Sequence, residues 1–369
     1  MASESAKAIL TIDLGALTAN YARLCREAPV SEVAGVVKAN GYGLGVLEVA
    51  RALREVGCRS FFVAHLDEGL ALRPHLADAA IYVLHGLAPR GEADTEAAGL
   101  IPILNQPDEI ARWAAFARHR ERRLPAAVQI DTGMCRLGFS RAGIEGLNRS
   151  LLEPLDLRLV MSHLACAEEA DNPLNQRQQA RFDELRERLP RAPASLANSS
   201  GIFLGSSFHY QLCRPGVALY GVNPTPGRVN PMAPVVKLEA PVLQVHDVIE
   251  AGTVGYGATR AIGPGSRIAT VPVGYADGYP RAVSDRAAAR IGSWKASLAG
   301  RVSMDLISLD VGGLPREAVQ PGTMVELIFG PNGLDELAEA AGTIGYEILT
   351  RLGTRFARRY TRPAVERPV

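Results

Sequence analysis

From Val33 to Arg214 the chain repeats one rhythm: a short apolar run, a turn, then an amphipathic stretch. The runs are 33–38, 60–65, 80–85, 100–104, 126–131, 157–163, 193–197 and a weaker 209–214. Segments this short and uniformly apolar suit strands buried on both faces of a parallel sheet. Between them, 47–56, 107–118 and 175–189 carry apolar residues at helical spacing; Asp108-Glu109 suits a helix start, and the charges of 175–189 read as a solvated face. Eight strand candidates, mostly followed by helices, predict an α/β fold with a (β/α)8 TIM-like barrel. A doubly wound sheet is the alternative, because spacing does not encode strand order.

After Pro231 the texture changes. Short strand-like runs, 235–245, 266–273, 297–309 and 324–329, alternate with turns such as 261–265 and 330–333. This predicts a second, mostly β domain. Prolines 224, 226, 231 and 234 mark the join, so the expected domains are 1–230 and 231–369. Roughly the first ten residues are assignable to either. Two domains also suit a length of 369 residues.

Several function classes lack support. Net charge is +1, so no bulk field favours nucleic acid or an anionic membrane. The one basic run, 355–362, reads as solvated surface. Five widely spaced cysteines without a C-x-x-C suggest neither a disulfide framework nor a thiolate zinc site, and no metal is expected. Residues 1–7 lack a leader pattern and no apolar run reaches membrane length, so the expected location is the cytoplasm.

Of 40 basic residues only four are lysines: Lys7, Lys38, Lys237 and Lys295. Lys38 ends the first apolar run, where a barrel places catalytic side chains. Partial desolvation there lowers an amine's pKa and frees it for imine chemistry. A lysine snorkelling from a strand end is the competing reading. Gly41 and Gly43 fail the dinucleotide test, since the third glycine position is Val46.

The segment Val36-Val37-Lys38-Ala39-Asn40-Gly41-Tyr42-Gly43 resembles the lysine motif of alanine racemases. Further segments resembling that family follow in order, around Asp131-Thr132-Gly133-Met134-Cys135-Arg136, Ser162-His163, Asn198-Ser199-Ser200-Gly201 and Arg214-Pro215-Gly216-Val217. Beyond the join come Gly255-Tyr256-Gly257, Gly274-Tyr275-Ala276-Asp277 and Ser303-Met304-Asp305. The resemblance implies pyridoxal phosphate held covalently by Lys38, its phosphate bound by the Ser199 hydroxyl, the Gly216 and Val217 amides and the Tyr42 phenol. It implies Arg214 facing the pyridine nitrogen and Arg136 on the phenolic oxygen. A guanidinium donates a hydrogen bond but keeps its proton, leaving the ring a weaker electron sink.

Racemisation of L- and D-alanine needs a proton to leave one face of a carbon and return to the other. By resemblance, Lys38 and Tyr256 are the two acid/base groups. A free phenol, pKa roughly 10, is a weak base near neutrality. The resemblance implies a network Arg214–His163–Tyr256 that lowers it. It further implies a homodimer with shared active sites, in which Tyr256 reaches the partner's lysine, Tyr275 and Asp305 support the site, and the Met304 amide meets the substrate carboxylate.

Three positions depart from the family pattern. Leu44 replaces a histidine, Gln129 stands where some members carry a carbamylated lysine holding Arg136, and Thr354 falls where some have a phosphate-contacting tyrosine. Gln129 is expected to orient Arg136 through its carbonyl oxygen. Rival readings are a serine, lysine or broad-specificity racemase, a decarboxylase of similar build, and a non-catalytic pyridoxal-phosphate-binding barrel. The β domain and Tyr256 speak against the last, which needs neither a lid nor a second base.

Overall fold

The structure, a computed structural model, describes residues 8–362; segment 1–7, read above for a leader and for domain assignment, lies outside the described residues. Two compact units emerge. One comprises Leu17–Leu219 with Asn223–Met232; the other contains residues 8–16, Tyr220–Val222 and 233–362.

The first unit is built on eight short parallel strands. Strand one is in two pieces, Glu32–Val33 and Gly35–Val36. The others are Ser60–Val63, Ala80–Val83, Ile101–Leu104, Leu124–Gln129, Leu155–Met161, Ala194–Ser195 and Leu212–Cys213. The split first strand closes the ring. Its Gly35 and Val36 lie opposite Phe61 and Phe62 of the second strand, while Glu32 and Val33 lie opposite Leu212 and Cys213 of the eighth. Between strands seven and eight, the Gln211 amide donates to the Ala194 carbonyl at 3.1 Å and the Arg214 amide to Ala197 at 2.9 Å. Neighbours follow chain order all the way round, which excludes the doubly wound alternative and its reversed strand order.

Every predicted strand of this unit is present. The periodic segments become helices Val46–Glu55, Pro107–His119 and Pro173–Arg186. Pro107 and Pro173 each open a helix, where a missing N–H removes nothing the helix needs. Strands such as Ser60–Val63 and Ile101–Leu104 are buried at every position, one face inside the ring and one under helices. Trp113 and Phe182, from two of those helices, anchor the outer core with Leu104, Val128 and Leu185.

The second unit is a nine-stranded sheet, in spatial order Gln244–Asp247, Arg267–Val271, Ile307–Asp310, Trp294–Leu298, Ala288–Ile291, Met324–Ile328, Val236–Pro241, Ile9–Asp13 and Ala357–Thr361. Only the last pair is parallel. The runs at 235–245 and 297–309 are each two strands. Residues 261–262, expected in a turn, belong to a hairpin of Gly252–Val254 with Arg260–Ile262. Two helices, Gly333–Ala341 and Gly345–Arg351, accompany the sheet. The 355–362 run is corrected most: it is not plain wetted surface but holds the edge strand Ala357–Thr361, paired with Ile9–Asp13.

Candidate active site

The chain leaves the first barrel strand through an unusual turn. Ala39, Asn40, Gly41 and Tyr42 have φ of 53°, 55°, 63° and 54°, a full left-handed turn. For residues with a Cβ this costs roughly 1–2 kcal/mol each. Hydrogen bonds hold it: Gly41 N to Val37 O at 2.8 Å, Gly43 N to Ala39 O at 2.8 Å and Gly45 N to Asn40 O at 2.9 Å. The Asn40 side chain accepts from Val46 N at 3.0 Å, and Glu68 accepts from Ala39 N at 2.6 Å. The turn leaves Lys38 half-buried at the barrel's C-terminal end and buries Tyr42. Desolvation, aided by the Arg136 charge and opposed by Glu68, lowers the Lys38 amine below the usual lysine range.

The Tyr42 hydroxyl lies directly over Gly216. A Cβ on that glycine would sit 2.2 Å from the oxygen and 3.0 Å from the ring's Cζ, so any side chain there would push the phenol aside. Beside it, the buried Ser199 hydroxyl accepts from Gly216 N at 2.9 Å and Ala218 N at 3.2 Å. The buried Val217 amide is left without an acceptor among the described residues. Backbone N–H groups gathered around a hydroxyl after strands seven and eight suit a phosphate.

Arg214 is buried and pairs with no carboxylate among the described residues. Its guanidinium donates to the Ser195 hydroxyl and, at 2.6 Å, to the Ser162 carbonyl. Burial pushes its pKa down to about 10, which still leaves it charged near neutrality. Desolvation and the charges of Arg214, Arg136 and Lys38 push His163 down to about 3, so it is a neutral imidazole. The Arg214 hydrogen bonds go to Ser195 and Ser162, so its influence on His163 is electrostatic.

Arg136 stands exposed on a loop organised by Asp131, whose Oδ1 accepts from Gly133, Met134 and Cys135 at 2.9, 2.9 and 3.1 Å. Gln129 differs from expectation. Its amide donates to Leu137 O at 3.1 Å, fixing the loop's backbone and not the Arg136 side chain. Leu44 is fully buried, while Thr354 is exposed.

Sequence reasoning missed several supports: Glu68, Ser195, the Ala218 amide, and the chain Thr132–Ser162–Gln178. Thr132 and Ser162 hydroxyls are 2.7 Å apart, and Gln178 bonds Thr132 and His163 O at 3.1 and 2.9 Å. A hydroxyl within the apolar run 193–197 was the one available signal.

In the second unit Tyr256 occupies the tip of the Gly252–Val254 hairpin and is exposed. Gly255 and Gly257, φ 71° and 75°, allow that tip, and a Cβ on Gly257 would meet Arg301 at 2.8 Å. Tyr275 and Met304 are exposed on adjacent loops, and Asp305 pairs with Arg355 at 2.7 Å.

A barrel presenting a desolvated lysine, backbone amides gathered at Ser199 and a buried arginine has the makings of a pyridoxal-phosphate site, and the residues fit that group. Residues 12–224 match the family described as alanine racemase, N-terminal domain, and 235–360 the alanine racemase, C-terminal domain. The chain belongs to the alanine racemase family. It is 47% identical over 367 residues to a catabolic alanine racemase of Agrobacterium fabrum, covering 99% of this chain and 95% of that one. It is 50% identical over 360 residues to one from Mesorhizobium japonicum, covering 96% and 94%. The Bartonella henselae alanine racemase, solved with covalently bound pyridoxal phosphate, matches with a TM-score of 0.93 and 40% identity, over 96% of this chain and all of that one.

Proposed function

We infer that this protein interconverts L- and D-alanine with pyridoxal phosphate, using Lys38 and Tyr256 as its two acid/base groups. The observation that carries the reading is the convergence, at one barrel end, of the lowered Lys38 amine with the Ser199–Gly216–Ala218 cradle. When bound, the cofactor supplies a carbonyl carbon for amine exchange and a ring that draws electrons from the substrate's Cα.

The protein's own groups do the rest. Ser199, the Gly216 and Val217 amides and the Tyr42 phenol bind the phosphate. Lys38 Nζ holds or releases a proton on one face of the substrate carbon, and Tyr256 Oη does so on the other. Arg214 donates toward the ring nitrogen and keeps its proton, which favours simple proton return over other fates. His163 is kept neutral and so adds no positive charge to those of Lys38 and Arg214. Arg136 donates to the phenolic oxygen, the Met304 amide receives the substrate carboxylate, and Tyr275 and Asp305 support that contact.

The exposure of Tyr256, Tyr275 and Met304 supports a homodimer in which these residues complete the partner copy's barrel. Among the described residues no helix is long and apolar enough to cross a membrane, in keeping with action in the cytoplasm. The test is to incubate the protein with L-alanine in deuterium oxide. Optical rotation should vanish while solvent deuterium appears at Cα. Equal or faster turnover of serine or lysine would favour the broad-specificity alternative, and carbon dioxide release a decarboxylase.

A further inference from the structure

The 355–362 arginine run does something specific at its first residue. Arg355 Nε lies 3.0 Å from an Asp277 oxygen, and its Nη1 lies 2.7 Å from Asp305. The two carboxylates belong to different loops. Asp277 is buried, and its second oxygen accepts the Gly274 amide at 2.8 Å. Backbone bonds zip the same loops together, Tyr275 N to Ser303 O at 3.0 Å and Ala276 N to Met304 O at 2.9 Å. The seam is tight: a Cβ on Gly274 would lie 2.2 Å from the Met304 carbonyl oxygen. The segment leading to Arg355 docks as closely. Gly353 N donates to Asp277 O at 2.9 Å, and a Cβ on Gly278 would lie 1.9 Å from the Arg351 carbonyl oxygen.

This arrangement fixes the backbone of two exposed residues, Tyr275 and Met304. The Met304 N–H has no acceptor among the described residues, whereas the carbonyl of the same residue is bonded. The orphaned donor is therefore held at a set distance from Tyr275 by the loop seam, and the seam's open end is closed by the guanidinium. A planar guanidinium can address two carboxylates at once in a fixed orientation; an ammonium carries the charge without that geometry.

We propose that Arg355 is a positioning residue for alanine recognition: by gripping Asp277 and Asp305 together it sets the register in which the Met304 N–H and Tyr275 meet the substrate. The inference rests on the reading above that this rim receives the substrate carboxylate. The Arg355–Asp305 limb is half-exposed and contributes little to stability, and buried Asp277 keeps its hydrogen bond from the Gly274 amide when Arg355 is replaced, so the main loss should appear in substrate affinity. Misplacement by about an ångström is enough to cost a large factor in such a site.

The experiment uses the full-length holoenzyme and compares Arg355→Met, Arg355→Lys, Asp305→Asn and Tyr275→Ala. Arg355→Met should raise the alanine KM roughly tenfold, with kcat within about threefold and cofactor absorbance and affinity unchanged. Arg355→Lys should restore part of the KM, and Asp305→Asn, which breaks one limb at an exposed carboxylate, should shift it less in the same direction. If Tyr275→Ala raises KM while Arg355→Met leaves it at the parental value, the positioning role is overturned and the rim reading survives. If neither variant moves KM, the rim reading itself is wrong and the proposal goes with it. A parallel fall of kcat, cofactor affinity and melting temperature in Arg355→Met and Asp305→Asn would assign Arg355 a structural role only.

Discussion

The barrel and the β unit hold their candidate residues in opposite ways. Ser199 and Arg214 are 2% and 4% exposed and already hydrogen-bonded to protein, whereas Tyr256 and Met304 are 71% and 54% exposed on loop tips. The groups proposed to anchor the cofactor are thus pre-organised inside one unit by desolvation and hydrogen bonds to protein. The phenol proposed to handle the proton and the amide proposed to meet the substrate sit instead on exposed residues at loop tips. Preorganised donors need no reorganisation when their ligand arrives. Open ones gain their low-dielectric surroundings only when something covers them.

The largest test of that contrast is a pair of variants. Lys38→Ala should lose racemisation by at least ~10³-fold along with the borohydride-trappable cofactor, while Tyr256→Phe should lose ~10²–10⁴-fold and keep the cofactor. If the β unit serves a partner's barrel, mixing and re-equilibrating the two inactive variants should regain up to about a quarter of parental activity, since half of mixed dimers' sites are intact. Trapping of cofactor by Lys38→Ala would move the imine to another lysine, and absent complementation would place Tyr256 within its own chain's site.

Smaller but sharper is Gly216→Ala. Its new Cβ would lie 2.2 Å from the Tyr42 oxygen, an overpacking worth about 1–3 kcal/mol. Cofactor dissociation, followed by absorbance after dialysis, should accelerate about ten- to a hundredfold, with the alanine KM of the reloaded enzyme little changed. Unaltered cofactor retention would mean that the phosphate sits elsewhere.

The smallest expected effect concerns pH. Folding lowers the His163 pKa from 6.5 to about 3, so between those values the unfolded chain binds more protons. The contribution is fully present above pH 6.5 and is lost as pH falls toward 3. One such group changes stability by at most about 1.4 kcal/mol per pH unit. Melting of the holoenzyme from pH 7.5 to 5 should therefore show a shallower acid decline in His163→Asn than in the parent. Identical slopes would mean that His163 titrates normally.

Much of this was legible from the chain alone, because period and spacing are local properties. Seven predominantly apolar runs and a weaker eighth suit burial on both faces, so the barrel strands were identifiable one by one. The β unit was harder: alternation blurs at the loops that divide 235–245 and 297–309 into strand pairs, and Ile9–Asp13 is too far from its partners for any local signal. Likewise the candidate site residues in glycine- and serine-bearing motifs could be named from the chain, but the groups they bond to could not. Ser195, Gln178 and Arg355 owe their roles to groups 19, 15 and 50 residues away.

The sequence by itself determined the chemistry available, a lone strand-end lysine, a phosphate cradle and a phenol between glycines, because residue type and backbone permissiveness travel with the chain. Tertiary structure alone decided which charges are desolvated, which hydroxyl receives the Arg214 guanidinium and which loops Arg355 ties together. Desolvation and hydrogen-bond geometry depend on what distant segments bring to within a few ångströms, and no spacing along one chain encodes that.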